Sequence, residues 1–428
     1  MAGEKLKINR IPSGEVRAPA SKSVGHRALI CAALAGGEKA LGGIKNLGVS
    51  EDITATRLAL AALLDKDGNL TDGPGGEIDC GESGSTLRFL LPLAGLDGRE
   101  RIFTGRGRLM QRPLDIYKEV FESHGGLFRQ EDDRVIVCGP LSPGRYELPG
   151  DVSSQFISGL LFALPLLDGE SEIVLTSQLE SADYVNLTVD VMETFGVRVD
   201  VPFDSPDEAF RIPGNQRYRP VKYTVEGDWS QAAVFLCAGA LGAPVSVGGL
   251  DPGSMQGDMR ILRILKSMGA DADVRIPMLR KRDATVRALA PREGLRGVNV
   301  DVRDIPDLVP PLAALACFAS GETRFTNAGR LRLKESDRIE ALVTELGKLG
   351  ADLRAEGDDI IIKGRKYVDG GEADARGDHR IAMAVAVCSV RCTSPVYLTG
   401  AEHVAKSYPA FWDDFLRAEN TTMEEGLT

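Results

Sequence analysis

Residues 228–241 read Asp-Trp-Ser-Gln-Ala-Ala-Val-Phe-Leu-Cys-Ala-Gly-Ala-Leu. From Ala232 to Leu241 the run is apolar on every side of a helix, and a helix without a polar face is a buried one. The arrangement recurs, so that the chain holds about six such blocks. Lys22-Ser23, Ser83-Gly84-Ser85-Thr86, Ser153-Ser154-Gln155, Asp304 to Asp307 and Asp378-His379-Arg380 open further helices, predicted over residues 27–34, 87–94, 156–166, 311–318 and 381–390. The openings lie roughly 60 to 80 residues apart, too far for a solenoid repeat and suited to one α/β module per copy.

Around each buried helix the rest of a module follows. Second helices are predicted over residues 113–124, 185–195, 258–268 and 337–349, where apolar residues recur at three- and four-residue spacing. They finish at Gly126, Gly196, Gly269 and Gly350, the usual place for a left-handed residue. Residues 134–138, 172–175 and 359–363 read as closing strands. Three modules precede Tyr223 to Gly227 and three follow, so two domains are expected, as a length of 428 residues also asks. The strand before Pro19 has no module of its own, and the last module lacks a clear closing strand. Strand exchange resolves both. Residues 1–18 and 228–428 then form one discontinuous domain and 19–227 the other, with crossings near Pro19 and Glu226 and the active-site cleft between them.

Hydrophobic residues make up 43% of the chain and aromatics 6%, with 48 Gly, an α/β composition without the signature of disorder. A formal net charge of -11 argues against nucleic acid and anionic membrane, which need a positive surface. No apolar run approaches a membrane span. Yet Lys22, Lys334, Arg338, His379 and Arg380 stand at helix openings, where the dipole disfavours cations. A bound anion would reverse that penalty, so small anionic ligands are the expected partners. Seven Cys, mostly in apolar stretches and without a C-x-x-C pair, fit a reduced cytoplasmic protein. His26, His124, His379 and His403 are too scattered for a zinc site, and no metal is expected. Met1 to Arg17 shows no signal or transit peptide.

Several constellations admit two readings. Lys334-Glu335-Ser336-Asp337-Arg338 is either a solvated turn with an internal Glu335–Arg338 pair or part of an anion site. Ser153 and Ser154 either cap a helix or cradle an anion with free N–H groups. Arg106, Arg108 and Arg112 lie in a Gly-broken loop, exposed or aimed at phosphate. Asp307 is an N-cap or a general base. Lys406, taken alone, is a surface lysine.

Taken together, Ala20-Ser21-Lys22-Ser23 with Arg27, Gln111-Arg112-Pro113, Ser153-Ser154-Gln155, Lys334 to Arg338, Gly377-Asp378-His379-Arg380 and Lys406 resemble the 5-enolpyruvylshikimate-3-phosphate synthase family, in order, from the first module to the last helix. The resemblance implies a two-domain inside-out α/β barrel of six βαβαββ repeats, three per domain. It implies transfer of the enolpyruvyl group of phosphoenolpyruvate to the 5-hydroxyl of shikimate 3-phosphate by a monomer, without a cofactor. By position, Ser23 and Arg27 are expected at the shikimate carboxylate, and Ser153, Ser154, Ser181 and Lys334 at its phosphate. Gln155 and Tyr184 are expected near the shikimate ring or phosphate, Lys22 and Asp307 also at shikimate 3-phosphate, and Lys22, Gly84, Arg112, Gln155, Arg338, His379, Arg380 and Lys406 at phosphoenolpyruvate. Asp307 is the expected base at the 5-hydroxyl, Glu335 the acid/base at the methylene carbon, and Lys22 an assistant at the bridging oxygen.

Glu82-Ser83-Gly84-Ser85 departs from the family's common Asn-Ala-Gly-Thr or Asn-Ser-Gly-Thr, and Arg330 stands where many members have Asn. A related enolpyruvyl transferase acting on UDP-N-acetylglucosamine typically has Lys-Asn in the first motif and a Cys in the loop before Arg-Pro, and this chain has neither. A catalytically silent anion-binding protein would lack Asp307, Glu335 or Lys22. The related RNA 3′-phosphate cyclase fold asks for a basic surface.

Overall fold

The computed structural model describes residues 5–71, 76–202, 209–278 and 282–417, so residues 1–4 and 418–428 of the expected discontinuous domain lie outside it. Buried helices form at all six openings: Lys22–Leu41, Gly84–Ala94, Ser154–Ala163, Trp229–Ala240, Val309–Ala316 and His379–Ser389. Ser21, Ser83, Ser153, Asp228 and Asp378 each cap their helix by accepting from an N–H of the first turn. The helix after Asp307 is the exception. Leu308 holds the capping position and Pro310 removes one of the donors that a cap would satisfy, so the Asp307 carboxylate stays free for other partners.

Every residue of Trp229–Ala240 and Val309–Ala316 is buried. Gly84–Ala94 packs on Ser154–Ala163, and Val309–Ala316 on His379–Ser389. The first contact requires Gly159, where a Cβ would overlap the Arg88 carbonyl and the Tyr117 hydroxyl. Strands take the outside. Ala284–Leu289 alternates buried and exposed residues, one face on helices and the other in water.

Six sheets form among the described residues. In the first half they are Ile78–Asp79, Glu100–Thr104, Arg134–Cys138, Leu127–Gln130; then Phe210–Ile212, Ser171–Leu175, Arg145–Leu148; and the pair Tyr223–Thr224, Ile44–Lys45. Those of the second half take in the N-terminus. Leu6–Ile8 pairs antiparallel with Val396–Thr399, Leu6 opposite Leu398, and Gly14–Arg17 runs parallel to Val245–Leu250, Val16 opposite Val247. One core accordingly gathers Ile8, Val16 and Ala18 with residues from Trp229 to Phe415, and a second runs from Val24 to Val225. The chain passes between them twice, side by side: Ser21 N–H donates to Glu226 O at 2.7 Å and Asp228 N–H to Pro19 O at 2.9 Å.

Local differences have local causes. The left-handed residue after Asp115–Ser123 is Gly125, φ 85°, because Gly126 lies against the Cys138 carbonyl. Residues 258–268 divide into a 3-10 turn, Gly257–Arg260, and a short helix, Ile261–Ser267. The first module has a second helix that the periodicity reading does not name, Glu51–Leu63. The last module ends in a 3-10 helix, Ala401–Lys406, and one short turn, Phe411–Phe415.

Candidate active site

Helix openings from both halves face one cleft. Lys22, Ser23, Arg27, Gly84, Arg112, Ser153, Ser154, Gln155, Ser181, Tyr184, Asp307, Lys334, Glu335, Arg338 and His379 line it. The remaining two predicted residues stand behind this wall: Arg380 lies 3.6 Å from Asp307 and Lys406 3.9 Å from Glu335. Seven cationic side chains line the cleft against three carboxylates, so an acidic protein presents positive potential here. Arg106 and Arg108 are exposed and only Arg112 of that loop reaches the cleft.

Arg338 organises the centre. It is 2% exposed, and its Nε donates to Asp378 Oδ2 at 2.8 Å, Nη1 to Asp307 Oδ1 at 3.0 Å and Nη2 to Glu335 Oε2 at 2.9 Å. The Glu335–Arg338 pair is therefore real, and it is buried rather than a solvated turn. Burial pushes the Asp307 carboxyl up, but Lys334, Arg380, Arg338 and Lys22 outweigh it and hold the group far below the usual range. Burial acts likewise on Glu335 and is outweighed by Arg338, Arg112 and Lys406, leaving that carboxyl also well below its ordinary value.

A second group gathers around Ser181, whose φ of 57° places a non-glycine residue in the left-handed region. Its N–H donates to Asp304 Oδ1 at 2.7 Å, and its hydroxyl accepts from Arg330 at 2.9 Å. Lys334 lies near, 3.9 Å from Asp307. Burial lowers the Lys334 ammonium to about 8, with Asp307 opposing and Arg338 and Arg330 assisting. Ser153 caps its helix and lines the cleft as well, so its two readings do not compete.

Lys22 is held 2.8 Å from Asp52. Burial would depress its ammonium, but Asp52 and Glu335 raise it above the ordinary value. Arg27 commits three donors to the protein, to Thr188 Oγ1, Ser23 O and Tyr184 O, which fixes its fork at the back of the cleft. Gln155 is oriented by Arg88, which donates to its Oε1 at 2.9 Å, and by Ser85, which accepts from its Nε2 at 2.9 Å. Tyr184 donates across the halves to Asp258 at 3.1 Å. Burial lowers His379 well below its usual value, so it is neutral.

Four nitrogens of this region are buried without a hydrogen-bond partner: Arg88 Nε, Arg112 Nε, His379 Nδ1 and Arg380 Nε. Buried polar nitrogens without partners are costly, and several in one site, three of them guanidinium donors, mark a place for polar atoms of a ligand. Among the described residues, no group of three or more His, Cys, Asp or Glu is placed to hold a metal ion.

Sequence reasoning missed Arg88, Ser85, Asp52 and Asp258. Arg88 had a signal, as the lone charge in the apolar helix GSTLRFLLPLA. Asp52 and Asp258 had none, since each sits in an amphipathic segment where an acid is ordinary. The two departures, Glu82 and Arg330, do not pair with each other: Glu82 meets Lys406 at 3.4 Å and Arg330 meets Glu180 at 3.5 Å.

A family model described as EPSP synthase (3-phosphoshikimate 1-carboxyvinyltransferase) matches residues 7–415. Curated proteins named 3-phosphoshikimate 1-carboxyvinyltransferase are 45% identical in Clostridium kluyveri, over 94% of both chains, and 42% in Clostridium novyi, over 96% of this chain and 97% of that one. The structure of EPSP synthase from Acinetobacter baumannii superposes with a TM-score of 0.74 at 25% identity over 97% of each chain. The enolpyruvyl transferase NikO from Streptomyces tendae, at 19% identity and a TM-score of 0.72 over 97% of each chain, shares the fold. That fold is the two-domain inside-out α/β barrel, and with the family match running almost end to end, the chain belongs to the EPSP synthase (3-phosphoshikimate 1-carboxyvinyltransferase) family.

Proposed function

We propose that the cleft carries out the reaction for which the family is named. The enolpyruvyl group of phosphoenolpyruvate passes to the 5-hydroxyl of shikimate 3-phosphate, and phosphate leaves. The observation that carries this reading is the set of four unpartnered buried nitrogens on Arg88, Arg112, His379 and Arg380, which fits a small, multiply charged donor. The group around Ser181, Ser153, Ser154, Arg330 and Lys334 suits the acceptor's phosphate, and Ser23 and Arg27 suit its carboxylate.

The acceptor oxygen bonds to the enol carbon while the methylene takes a proton and becomes a methyl. Asp307 receives the hydroxyl proton, with Lys22 close to the bridging oxygen. Glu335 stands at the methylene side, and both carboxyls are ionised in the free protein. Incoming anions raise them by offsetting the cations that depress them, so donor binding prepares Glu335 to hold the proton it delivers. The tetrahedral intermediate then loses phosphate, whose bridging oxygen takes up through Lys22 the proton that Asp307 had received, as the methyl returns a proton to Glu335, restoring the double bond. Every group in this scheme comes from one chain, so the scheme calls on no residue of a second copy. The seven free cysteines fit a reducing cytoplasm, and among the described residues no helix is long and apolar enough to cross a membrane. The test is phosphate release from phosphoenolpyruvate with shikimate 3-phosphate. Equal release with UDP-N-acetylglucosamine, or none with either acceptor, refutes the reading.

The geometry also sets two expectations for the binding groups. A Cβ at Gly84 would stand 2.7 Å from Arg112 Nη1 and 3.2 Å from Arg88 Nη1. These are ends of flexible side chains, so Gly84→Ala folds but displaces the guanidinium at the donor site. The expected result is a rise of roughly tenfold in KM for phosphoenolpyruvate, the loss of about one charge-assisted hydrogen bond, against a small change for shikimate 3-phosphate. Equal rises for both would refute the placement.

Lys334 binds phosphate as an ammonium, and burial brings its pKa to about 8. Its charge is present below that pH and lost above it. The acceptor phosphate is fully ionised throughout that range. KM for shikimate 3-phosphate should therefore climb about tenfold per pH unit above the transition, and Lys334→Gln should flatten this limb.

A further inference from the structure

One carboxylate beside the donor site opposes the binding of an anion there, and its role depends on the cleft taking phosphoenolpyruvate as proposed. Glu82 comes from the first half of the molecule and Lys406 from the second, where its side chain is 5% exposed. The Lys406 ammonium donates to the Glu82 carbonyl oxygen at 2.9 Å, and it lies 3.4 Å from Glu82 Oε2 and 3.9 Å from Glu335 Oε1. The Glu82 side chain rests on Gly107, φ 60°, where an added Cβ would stand 2.8 Å from Oε1. Thus the lysine expected to meet an anion is already balanced by a protein carboxylate, and it stands behind the cleft wall rather than on it.

We infer that Glu82 sets the affinity for the donor, its carboxylate competing with the phosphoenolpyruvate anion for the charge of Lys406. The backbone carbonyl of the same residue holds the ammonium independently of the side chain. Removing the carboxylate therefore frees the positive field without releasing the lysine. The acceptor's phosphate group of residues is spared, because Ser181, Arg330 and Lys334 bond to neither partner.

Steady-state kinetics of Glu82→Gln and Glu82→Ala test this, and with the side chain 43% exposed neither substitution opens the core. A half-exposed ion pair changes binding a few-fold, so KM for phosphoenolpyruvate should fall about two- to fivefold in both variants. The fall should shrink as salt rises, and it should appear in KM for the donor rather than in kcat or in KM for shikimate 3-phosphate. A donor KM unchanged or raised in either variant overturns the inference, as does an equal shift for both substrates. Wild-type protein that releases no phosphate from the two substrates would overturn the proposed reaction instead.

Discussion

Asp307→Asn is expected to fold as the wild type does and to lose about a hundred- to ten-thousand-fold in kcat, the range for removing a general base. KM for both substrates should stay level or fall. The substitution keeps the shape of a side chain that is 25% exposed and packs in no apolar core, and Arg338 retains Asp378 and Glu335 as counter-ions, so the protein still folds although it loses the stabilisation of the Asp307 ion pair. It also removes one of three carboxylates from a cleft lined by seven cations, which strengthens the pull on anions.

The difficulty is base strength. Lys334, Arg380 and Arg338 depress the carboxyl so far that in the free protein it would be a poor proton acceptor, despite the burial that raises it. Shikimate 3-phosphate corrects this by bringing its own negative charge to the same cations, above all Lys334, which releases Asp307 towards the ordinary carboxylate range. The base is thus weak until the acceptor arrives. A single-turnover rate within about tenfold of wild type would remove Asp307 from this role, since proton transfer by a positioned base contributes more than that.

The same residue shows where reading the sequence succeeds and where it stops. Five openings are legible because Ser, Asp and the apolar run behind them act locally: the side chain caps the N–H groups next to it and the helix hides itself. Asp307 is ambiguous because a cap and a catalytic carboxylate have the same sequence, and what decides is a proline two residues into the following helix. Lys406 looks like a surface lysine, yet its side chain is 5% exposed, and only the return of the last module against Glu82, 324 residues earlier, buries it. Arg88 and Asp258 belong to the same class, their partners lying 67 and 74 residues away. The N-terminal strand before Pro19 is assigned by elimination, which gives residues 1–18 to the second half but shows neither that they form two strands nor their register. That register depends on the pairing of Leu6 with Leu398 and Val16 with Val247.

Arg338→Met is expected to cost about 3 to 5 kcal/mol of folding stability, the usual penalty for breaking a buried ion pair from one side. The cost arises at Asp378. That carboxylate is fully buried and accepts from Arg338 Nε at 2.8 Å and Nη2 at 3.3 Å, from Ser336 Oγ at 3.1 Å and from the Arg380 N–H at 2.9 Å. Methionine fills the volume of the lost stem but leaves this charge without a counter-ion. His379 cannot replace it, because burial and Lys22 keep that imidazole neutral.

The cost is a large share of the roughly 5 to 15 kcal/mol that stabilises a domain, and urea denaturation would show it as a lowered midpoint at unchanged slope. Adding Asp378→Asn removes the stranded charge while keeping a side chain able to cap the helix His379–Ser389. The double variant should therefore regain most of the stability lost by Arg338→Met, a coupling that distinguishes the buried pair from mere loss of packing. Activity should not return with the fold, because Asp307 and Glu335 both take their orientation from the missing guanidinium. A double variant no more stable than Arg338→Met alone would show that packing around the arginine, rather than the charge on Asp378, sets the cost.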